Sequence, residues 1–170
     1  MSKISIIAAV ADNYAIGKNN KLIWHLPADM KHFKNMTTGH AVVMGKRTFE
    51  SLPNGPLPNR KNIVLTSIPE GNYDKYYEAV SLRDAIDLCD KEDEVFIIGG
   101  SSVFKQALTF PAVEYMYITW VHDEFPADAF FPKFNEKDWE LTKTERHEAD
   151  EKNPHPYTFC EYKRKAKIKK

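Results

Sequence analysis

The run ISIIAAVA at residues 4–11 is apolar and β-branched almost throughout. A strand with one face in water would alternate polar and apolar residues, so this run predicts a strand covered on both faces. Further strand patterns follow it at residues 41–44, 62–67, 76–80, 94–98 and 114–121. Helical patterns lie between the strands at residues 27–38, 45–52, 81–90 and 99–108. This alternation is typical of an α/β domain with a largely parallel sheet.

The C-terminal part of the chain has a different pattern. Residues 139–148 and 157–163 alternate polar and apolar side chains, and the turn-forming sequence NPHP separates them. Two alternating runs joined in this way predict an antiparallel hairpin. We therefore expect a single α/β domain with a mixed, mostly parallel sheet of about eight strands, helices on both faces and a C-terminal antiparallel hairpin.

Length and composition exclude several classes of protein. A chain of 170 residues with 42% hydrophobic residues is typical of one packed globular domain. Cys89 and Cys160 have no metal-binding spacing, the six histidines form no HExxH pattern, and residues 4–11 are too few to span a membrane. We therefore expect a cytoplasmic protein with reduced thiols, no metal site and no membrane partner.

The formal net charge of zero conceals an asymmetry along the chain. Lys163, Arg164 and four further lysines give the last eight residues six positive charges, which leaves 18 basic against 24 acidic residues before them. An acidic body disfavours a nucleic-acid-binding face. We expect a domain over residues 1–163 and a solvated basic tail over residues 164–170, although such a tail could instead contact an acidic surface.

Residues 22–33, LIWHLPADMKHF, place one carboxylate among large apolar side chains. Pro27 is typical of the first position of a helix, which puts Asp29 in the first turn. Two interpretations are open at this point. Asp29 could only satisfy free N–H groups of the helix, or burial could balance the helix dipole so that the carboxyl binds a cationic or amidine-like group and manages a proton.

Three strand ends have the character of phosphate sites. GKRT at residues 45–48 follows one strand, Thr66 and Ser67 end the next, and GGSS at residues 99–102 opens a helix. Free N–H groups, hydroxyls and cations at such positions favour anions. Each motif is weak alone, and the dinucleotide fingerprint GxGxxG is absent. The long polar connection at residues 12–21 is typical of a binding loop or lid, or of a plain surface loop.

Taken in order, several segments resemble dihydrofolate reductases of the bacterial chromosomal type. They are IIAA at 6–9, IG at 16–17, WHLPAD at 24–29, VMGKRTFES at 43–51, PLPNRKN at 56–62, IIGG at 97–100 and DAFFP at 128–132. The resemblance covers residues 4–163 and implies NADPH-dependent reduction of 7,8-dihydrofolate, as a part of one-carbon metabolism. It also implies binding of folate-analogue inhibitors and a monomeric protein.

The resemblance assigns residues to the substrate. Asp29 corresponds to the acid that binds the pterin ring and promotes protonation of its N5 beside the C6 atom that receives hydride, and Thr119 corresponds to the hydroxyl beside that acid. Arg60 corresponds to the arginine that pairs with the glutamate α-carboxylate. The apolar walls around the substrate rings correspond to Ile7, Met30, Phe33, Leu57 and Ile98.

On the cofactor side, the resemblance places Ala9 and Ile16 beside the nicotinamide and makes residues 12–24 a mobile lid that contains Gly17, with Leu22 and Trp24 counted as catalytic. The expected NADPH contacts also include Gly45, Lys46, Arg47, Thr48, Thr66, Ser67, Gly99, Gly100, Ser101, Ser102, Val103 and Phe104.

The chain departs from common family members at several positions. Lys46 stands where an arginine is frequent, Ser102 where some members have another arginine, and Phe104 where a tyrosine is common; His25 and Leu22 also differ. The residues at 46 and 102 make the expected preference for NADPH over NADH less secure, although Arg47 could compensate, and none of the departures removes the chemistry. Two alternatives stay open: another pteridine- or flavin-related NADPH reductase, and a nucleotide-binding domain without catalysis.

Overall fold

The computed structural model describes residues 2–19, 21–69 and 75–166. In chain order, the elements are β1 Lys3–Ala11, β2 Ala15–Gly17, α1 Pro27–Thr37, β3 Ala41–Gly45, α2 Lys46–Glu50, β4 Lys61–Leu65, β5 Tyr77–Ala79, α3 Leu82–Asp87, β6 Glu94–Gly99, α4 Ser101–Thr109, β7 Val113–Val121, β8 Ala129–Phe130, a 3-10 turn Glu136–Asp138, β9 Trp139–His147 and β10 Tyr157–Arg164.

The main sheet has eight strands in the order β5-β4-β3-β6-β1-β7-β10-β9. The strands from β5 to β7 are parallel to their neighbours, whereas β10 pairs antiparallel with both β7 and β9. The predicted α/β fold class, the mostly parallel sheet and the C-terminal hairpin are therefore confirmed. Because the central strands are parallel, their carboxyl ends all lie at one edge of the sheet.

Alternate residues of the central strands pack on opposite faces of the sheet. On one face, Ile6 and Val43 join a cluster that includes Leu82 of α3 and Phe104 of α4. On the other face, Ile7, Val42 and Met44 form a second cluster, against which side chains of α1 and α2 pack. Burial on both faces is the physical reason that these strands are apolar without alternation.

Two helix boundaries follow the signals that predicted them. Ser81 precedes α3 and its hydroxyl oxygen accepts from Asp84 N at 3.1 Å, as expected for a capping residue. Gly39 follows the end of α1 with φ of +86°, a backbone conformation that glycine adopts without steric cost. Among the described residues, no helix is both long and apolar enough to cross a membrane.

A second, two-stranded sheet lies in the segment that we predicted to be a loop. β2 pairs antiparallel with β8, Gly17 O accepts from Asp128 N at 3.1 Å, and Tyr14 O accepts from Phe131 N at 2.8 Å. The prediction of an irregular connection over residues 12–21 is therefore wrong at its centre. A strand of three residues that includes Ala15 and Gly17 has little intrinsic stability, and here its pairing with β8 stabilises it.

The basic tail begins later than we predicted. Arg164 is the last residue of β10, its Nε donates to Val113 O at 2.8 Å, and its Nη2 donates to Leu108 O at 3.0 Å. Its guanidinium also lies 4.3 Å from the ring centre of Trp139. Assignment of Arg164 to a solvated tail is therefore wrong, while the tail prediction for residues 167–170 lies outside the described residues.

Both ends of the described chain meet on one aromatic ring. Lys3 Nζ lies 4.2 Å from the ring centre of Tyr115, and Lys163 Nζ lies 5.8 Å from the same centre. Lys3 also donates to the Tyr117 hydroxyl at 2.5 Å and lies 3.7 Å from Glu94. These contacts are at the amino ends of the parallel strands, on the edge opposite to the glycines that end β3 and β6.

Candidate active site

The site is built around the first turn of α1. Pro27 occupies the first helical position, and Asp29 N and Met30 N both donate to Leu26 O, at 3.0 and 3.1 Å. The Leu26 side chain is buried, so it anchors the start of the helix in the core. Asp29 therefore lies in a rigid turn beside the sheet, as the sequence predicted.

Asp29 is a half-buried acid that, among the described residues, has the hydroxyl of Thr119 as its hydrogen-bond partner. Burial raises the pKa of its carboxyl above the ordinary value of 3.8, and a hydrogen bond from Thr119 partly opposes this rise. Thr119 is 3% exposed and lies on β7 between Ala9 of β1 and Phe159 of β10. A carboxyl that only satisfied the helix N-terminus would have a lowered pKa, so the raised pKa favours the second interpretation of Asp29. Raised pKa values of this kind are common among acids of functional sites.

An apolar wall adjoins the acid on the same face of the sheet. Ile7 is buried in the second cluster, and Leu57 and Ile98 pack against it. Phe33 is half-buried on α1, whereas Met30 is 52% exposed. The structure thus brings together three of the five predicted wall residues, and Met30 and Phe33 lie on the helix beside them.

Arg60 lies at the far end of this wall, after the proline-rich connection. Its Nε donates to Pro58 O at 2.9 Å and its Nη1 donates to Thr37 Oγ1 at 3.1 Å. Burial lowers the pKa of the guanidinium, which still stays protonated. None of the ion pairs among residues 2–19, 21–69 and 75–166 involves Arg60, so its remaining N–H groups are available for an anion.

Glycines end β3 and β6 at the carboxyl edge of the sheet. A Cβ at Gly45 would lie 3.2 Å from Val103 Cγ2, and one at Gly100 would lie 3.3 Å from Thr48 Oγ1. Gly99 has φ of +133° and joins Gly100 through a cis peptide bond. This edge therefore brings backbone from two strands close together, and the hydroxyl of Thr48 lies against it. Such backbone allows a flat or phosphorylated ligand to approach closely.

The other predicted cofactor residues differ in exposure. Thr66 is buried and its Oγ1 accepts from Ile68 N at 3.3 Å, whereas Val103 and Phe104 are core residues of α4. Val103 and Phe104 could therefore contact a ligand only through limited edges or backbone. The exposed or half-exposed members of this set are Lys46, Arg47, Ser67, Ser101 and Ser102.

The predicted lid, residues 12–24, is held by β2 and by the buried Trp24, whereas Leu22 is exposed. Ile16 and Gly17 lie in β2, and Ala9 is half-buried on β1 beside Thr119. Trp24 is buried, with its ring centre 5.1 Å from that of Phe125. Leu22 is 68% exposed, so in this structure its side chain faces solvent.

Sequence reasoning missed Asn153, which contacts the first turn of α1 from the loop between β9 and β10. Its Oδ1 accepts from Ala28 N at 3.0 Å, one residue before Asp29. The available signal was indirect: an apolar residue, Leu26, precedes α1 where a capping side chain is usual, so an acceptor had to come from elsewhere.

Metal chemistry and disulfides find no support in the described parts of the chain. No group of three or more His, Cys, Asp or Glu side chains there could hold a metal ion. Cys89 and Cys160 are both free and buried, and burial raises the pKa of the Cys89 thiol to about 11.

Comparisons with known proteins agree with this geometry. A sequence model described as dihydrofolate reductase matches residues 3–164. The chain is 44% identical over 162 residues to a dihydrofolate reductase of Bacillus subtilis, covering 95% of each, and 41% identical to one of Staphylococcus haemolyticus, covering 95% of this chain and 96% of the relative. A solved dihydrofolate reductase from Enterococcus faecalis, complexed with NADP(H) and RAB-propyl, superposes with a TM-score of 0.88 at 38% identity, over 96% of this chain and 97% of that one.

Proposed function

The chain belongs to the dihydrofolate reductase family, and from this membership we infer that it uses NADPH to reduce dihydrofolate to tetrahydrofolate. It is accordingly an NADPH-dependent oxidoreductase. The observation that carries the inference within the structure is the carboxyl of Asp29, whose pKa is raised by burial while Thr119 donates to it. The roles of individual residues below are proposals that rest on this premise.

We propose that Asp29 binds the amino group and the adjacent ring nitrogen of the pterin and promotes protonation of N5. A carboxylate can accept these hydrogen bonds, and a raised pKa lets it take up a proton at a higher pH than an ordinary aspartate does. Thr119 orients the carboxyl and limits the rise of its pKa. Hydride then adds to C6 of a ring whose N5 is protonated, so the charge that develops in the reaction is smaller.

The carboxyl edge of the sheet fits the cofactor. NADPH, when bound, supplies the hydride. Gly45, Gly99 and Gly100 have no Cβ at this edge, so the cofactor can approach their backbone closely. A Cβ at Gly45 or Gly100 would also crowd Val103 or Thr48. We propose that Lys46, Arg47, Thr48, Thr66, Ser67, Ser101 and Ser102 hold its phosphates, and that Ala9 and Ile16 adjoin the nicotinamide.

Arg60 and the apolar wall select the other end of the substrate. Ile7, Leu57 and Ile98 pack together between Asp29 and Arg60, which suits an aromatic linker between a pterin and a glutamate. Arg60 has N–H groups left over for a carboxylate, and a guanidinium binds a carboxylate through two parallel hydrogen bonds. This pairing of an acid with an arginine favours a folate over other pteridines and over flavin precursors.

We propose further that Leu22 and Trp24 exclude water when the lid closes, that Met30 and Phe33 complete the substrate wall, and that Val103 and Phe104 support the cofactor edge from the core. Small-molecule binding is the family property. A monomeric state, a cytoplasmic location, the absence of metal, membrane and nucleic-acid partners, and a single domain over residues 1–163 extended to Arg164 are proposals.

The test follows NADPH absorbance with dihydrofolate for the wild type, Asp29→Asn and the matched control Asp87→Asn on the exposed side of α3. We expect Asp29→Asn to lower turnover at neutral pH by about a hundredfold or more, with a smaller loss at low pH where substrate arrives protonated. Asp87→Asn should behave as the wild type. Equal rates for all three would refute the role of Asp29, and NADPH binding without turnover would redirect the search to other pteridines.

A further inference from the structure

The first turn of α1 depends on a residue that is 125 positions away. Leu26, at the N-cap, provides no capping side chain, and Pro27 has no N–H. Asp29 N and Met30 N donate to Leu26 O, and Ala28 N donates to Asn153 Oδ1 at 3.0 Å. Asn153 is 6% exposed, so this bond is shielded from water.

The orientation of the Asn153 amide is fixed by Asp150. Its Nδ2 donates to Asp150 Oδ1 at 3.1 Å and Oδ2 at 3.3 Å. Asp150 Oδ1 also accepts from the backbone N of Asn153 at 2.7 Å and of Lys152 at 2.9 Å. Because a carboxylate can only accept, the amide oxygen of Asn153 must face Ala28. This arrangement is more elaborate than a helix cap requires.

We propose that Asn153 is a positioning residue for hydride transfer: by occupying the Ala28 N–H, its amide oxygen keeps that donor from the adjacent Asp29 carboxylate, which therefore stays on Thr119. The inference rests on the proposed role of Asp29. It extends the reacting centre to the loop between β9 and β10, which no other step of the mechanism uses.

Loss of the acceptor has a defined electrostatic consequence. Without Asn153 Oδ1, the Ala28 N–H either donates to the Asp29 carboxylate or leaves the positive end of the α1 dipole without an acceptor. Both changes favour the ionised form of Asp29. The other groups near the carboxyl are Thr119 on β7 and Tyr157 on β10. Burial raises the pKa of Tyr157 most, and the charges of Asp150 in the loop, Asp29 and Glu145 raise it further. Glu145 of β9 and His32 of α1 lie further along the same face.

The experiment measures the pH dependence of kcat/KM for dihydrofolate in the intact protein. We expect kcat/KM to fall as the pH rises through an apparent pKa. Asn153→Ala should lower that apparent pKa by about half a unit, which corresponds to the free energy of one charge interaction at a helix terminus. Asn153→Asp, which is nearly isosteric and keeps an acceptor while adding negative charge, should raise the same pKa. The exchange variant Asn153→Asp with Asp150→Asn keeps the net charge, an acceptor for the Ala28 N–H and one amide-to-carboxylate bond between the two positions, and should restore the neutral-pH rate lost in Asn153→Ala.

A purely structural role for Asn153 gives a different result. Loosening of the hairpin would lower the rate by the same factor at every pH and would leave the apparent pKa unchanged in all three variants. That outcome, or shifts of the same sign for Asn153→Ala and Asn153→Asp, would overturn the proposal. Glu151→Ala, at an exposed position in the same loop, is the control and should leave the profile unchanged. Failure of the proposed function is separate, because the wild type would then show no turnover at all.

Discussion

Replacement of Arg60 by leucine should raise KM for dihydrofolate about 30-fold. Nε and one N–H of Nη1 are committed to Pro58 O and Thr37 Oγ1, which leaves N–H groups for two bonds to a carboxylate. Charge-assisted hydrogen bonds contribute about 1.5 to 3 kcal/mol each when desolvated, and the half-exposed position of Arg60 reduces the pair to about 2 kcal/mol. A difference of about 1.4 kcal/mol changes an equilibrium tenfold, which gives the expected factor.

The same substitution removes two internal hydrogen bonds, one to Pro58 O within the proline-rich connection and one to Thr37 Oγ1 at the end of α1. At about 1 kcal/mol each, their loss should lower the free energy of unfolding by about 2 kcal/mol. Arg60→Lys keeps the charge without the planar fork, so its KM should lie between those of the wild type and Arg60→Leu. A urea titration separates this stability effect from the effect on binding.

The assay compares KM for dihydrofolate with the Kd of a compact diaminopyrimidine, which has no glutamate. Lys61→Leu is the matched control, since the Lys61 ammonium is a neighbouring cation that donates to Leu88 O at 2.5 Å. We expect Arg60→Leu to weaken only dihydrofolate and Lys61→Leu to weaken neither ligand by more than about twofold. An equal loss for both ligands in Arg60→Leu, or an equal loss in Lys61→Leu, would contradict the carboxylate contact.

Three further outcomes are expected. Asp29→Asn should stabilise the protein at pH 8 but not below pH 3.8. The pKa of Asp29 is raised in the folded state, so its contribution to stability is complete below the unfolded-state pKa and is lost as the pH rises through the folded-state pKa. Urea titrations in which wild type and variant differ by the same amount at every pH would disprove this. Gly99→Ala should cost about 1 to 3 kcal/mol of stability and weaken NADPH binding, since φ of +133° strains alanine; an unchanged urea midpoint and NADPH titration would argue against it. Cys89, whose pKa burial raises to about 11, should not react with an aromatic disulfide reagent at pH 8 until the protein unfolds; rapid labelling of the native protein would show that it is accessible.

Much of the fold could be predicted because a long apolar run must be buried on both faces of a sheet or inside the core. The run at residues 4–11 became β1 at the centre of the sheet, and Ser81 and Gly39 bound helices where their side chain or backbone chemistry indicated. The small sheet was not predictable, because β2 and β8 contain too few residues to form a pattern and exist only through their pairing. Arg164 was misassigned for a related reason: a lysine- and arginine-rich run indicates solvent until the ring of Trp139 and the carbonyl groups near it are known.

The site was less accessible to sequence reasoning than the fold. The pattern around Asp29 predicted its helical turn, but two interpretations of its chemistry remained open. Only the register of β1 with β7 brings Thr119, 90 residues later, to the carboxyl. Residue roles came from the resemblance, not from periodicity. Neither the sequence pattern nor the resemblance indicated Asn153, since an asparagine before a proline is common in any turn.

The shared ring of Tyr115 has a consequence for rearranged versions of this chain. With Lys3 and Lys163 both over that ring, a short linker could join the two ends without crossing the sheet. The backbone would become a closed loop, and new ends could be opened at an exposed turn such as residues 90–91. Fusion partners attached to Ser2 or Arg164 would leave from the edge opposite Gly45 and Gly99, so they would not obstruct entry of the nucleotide.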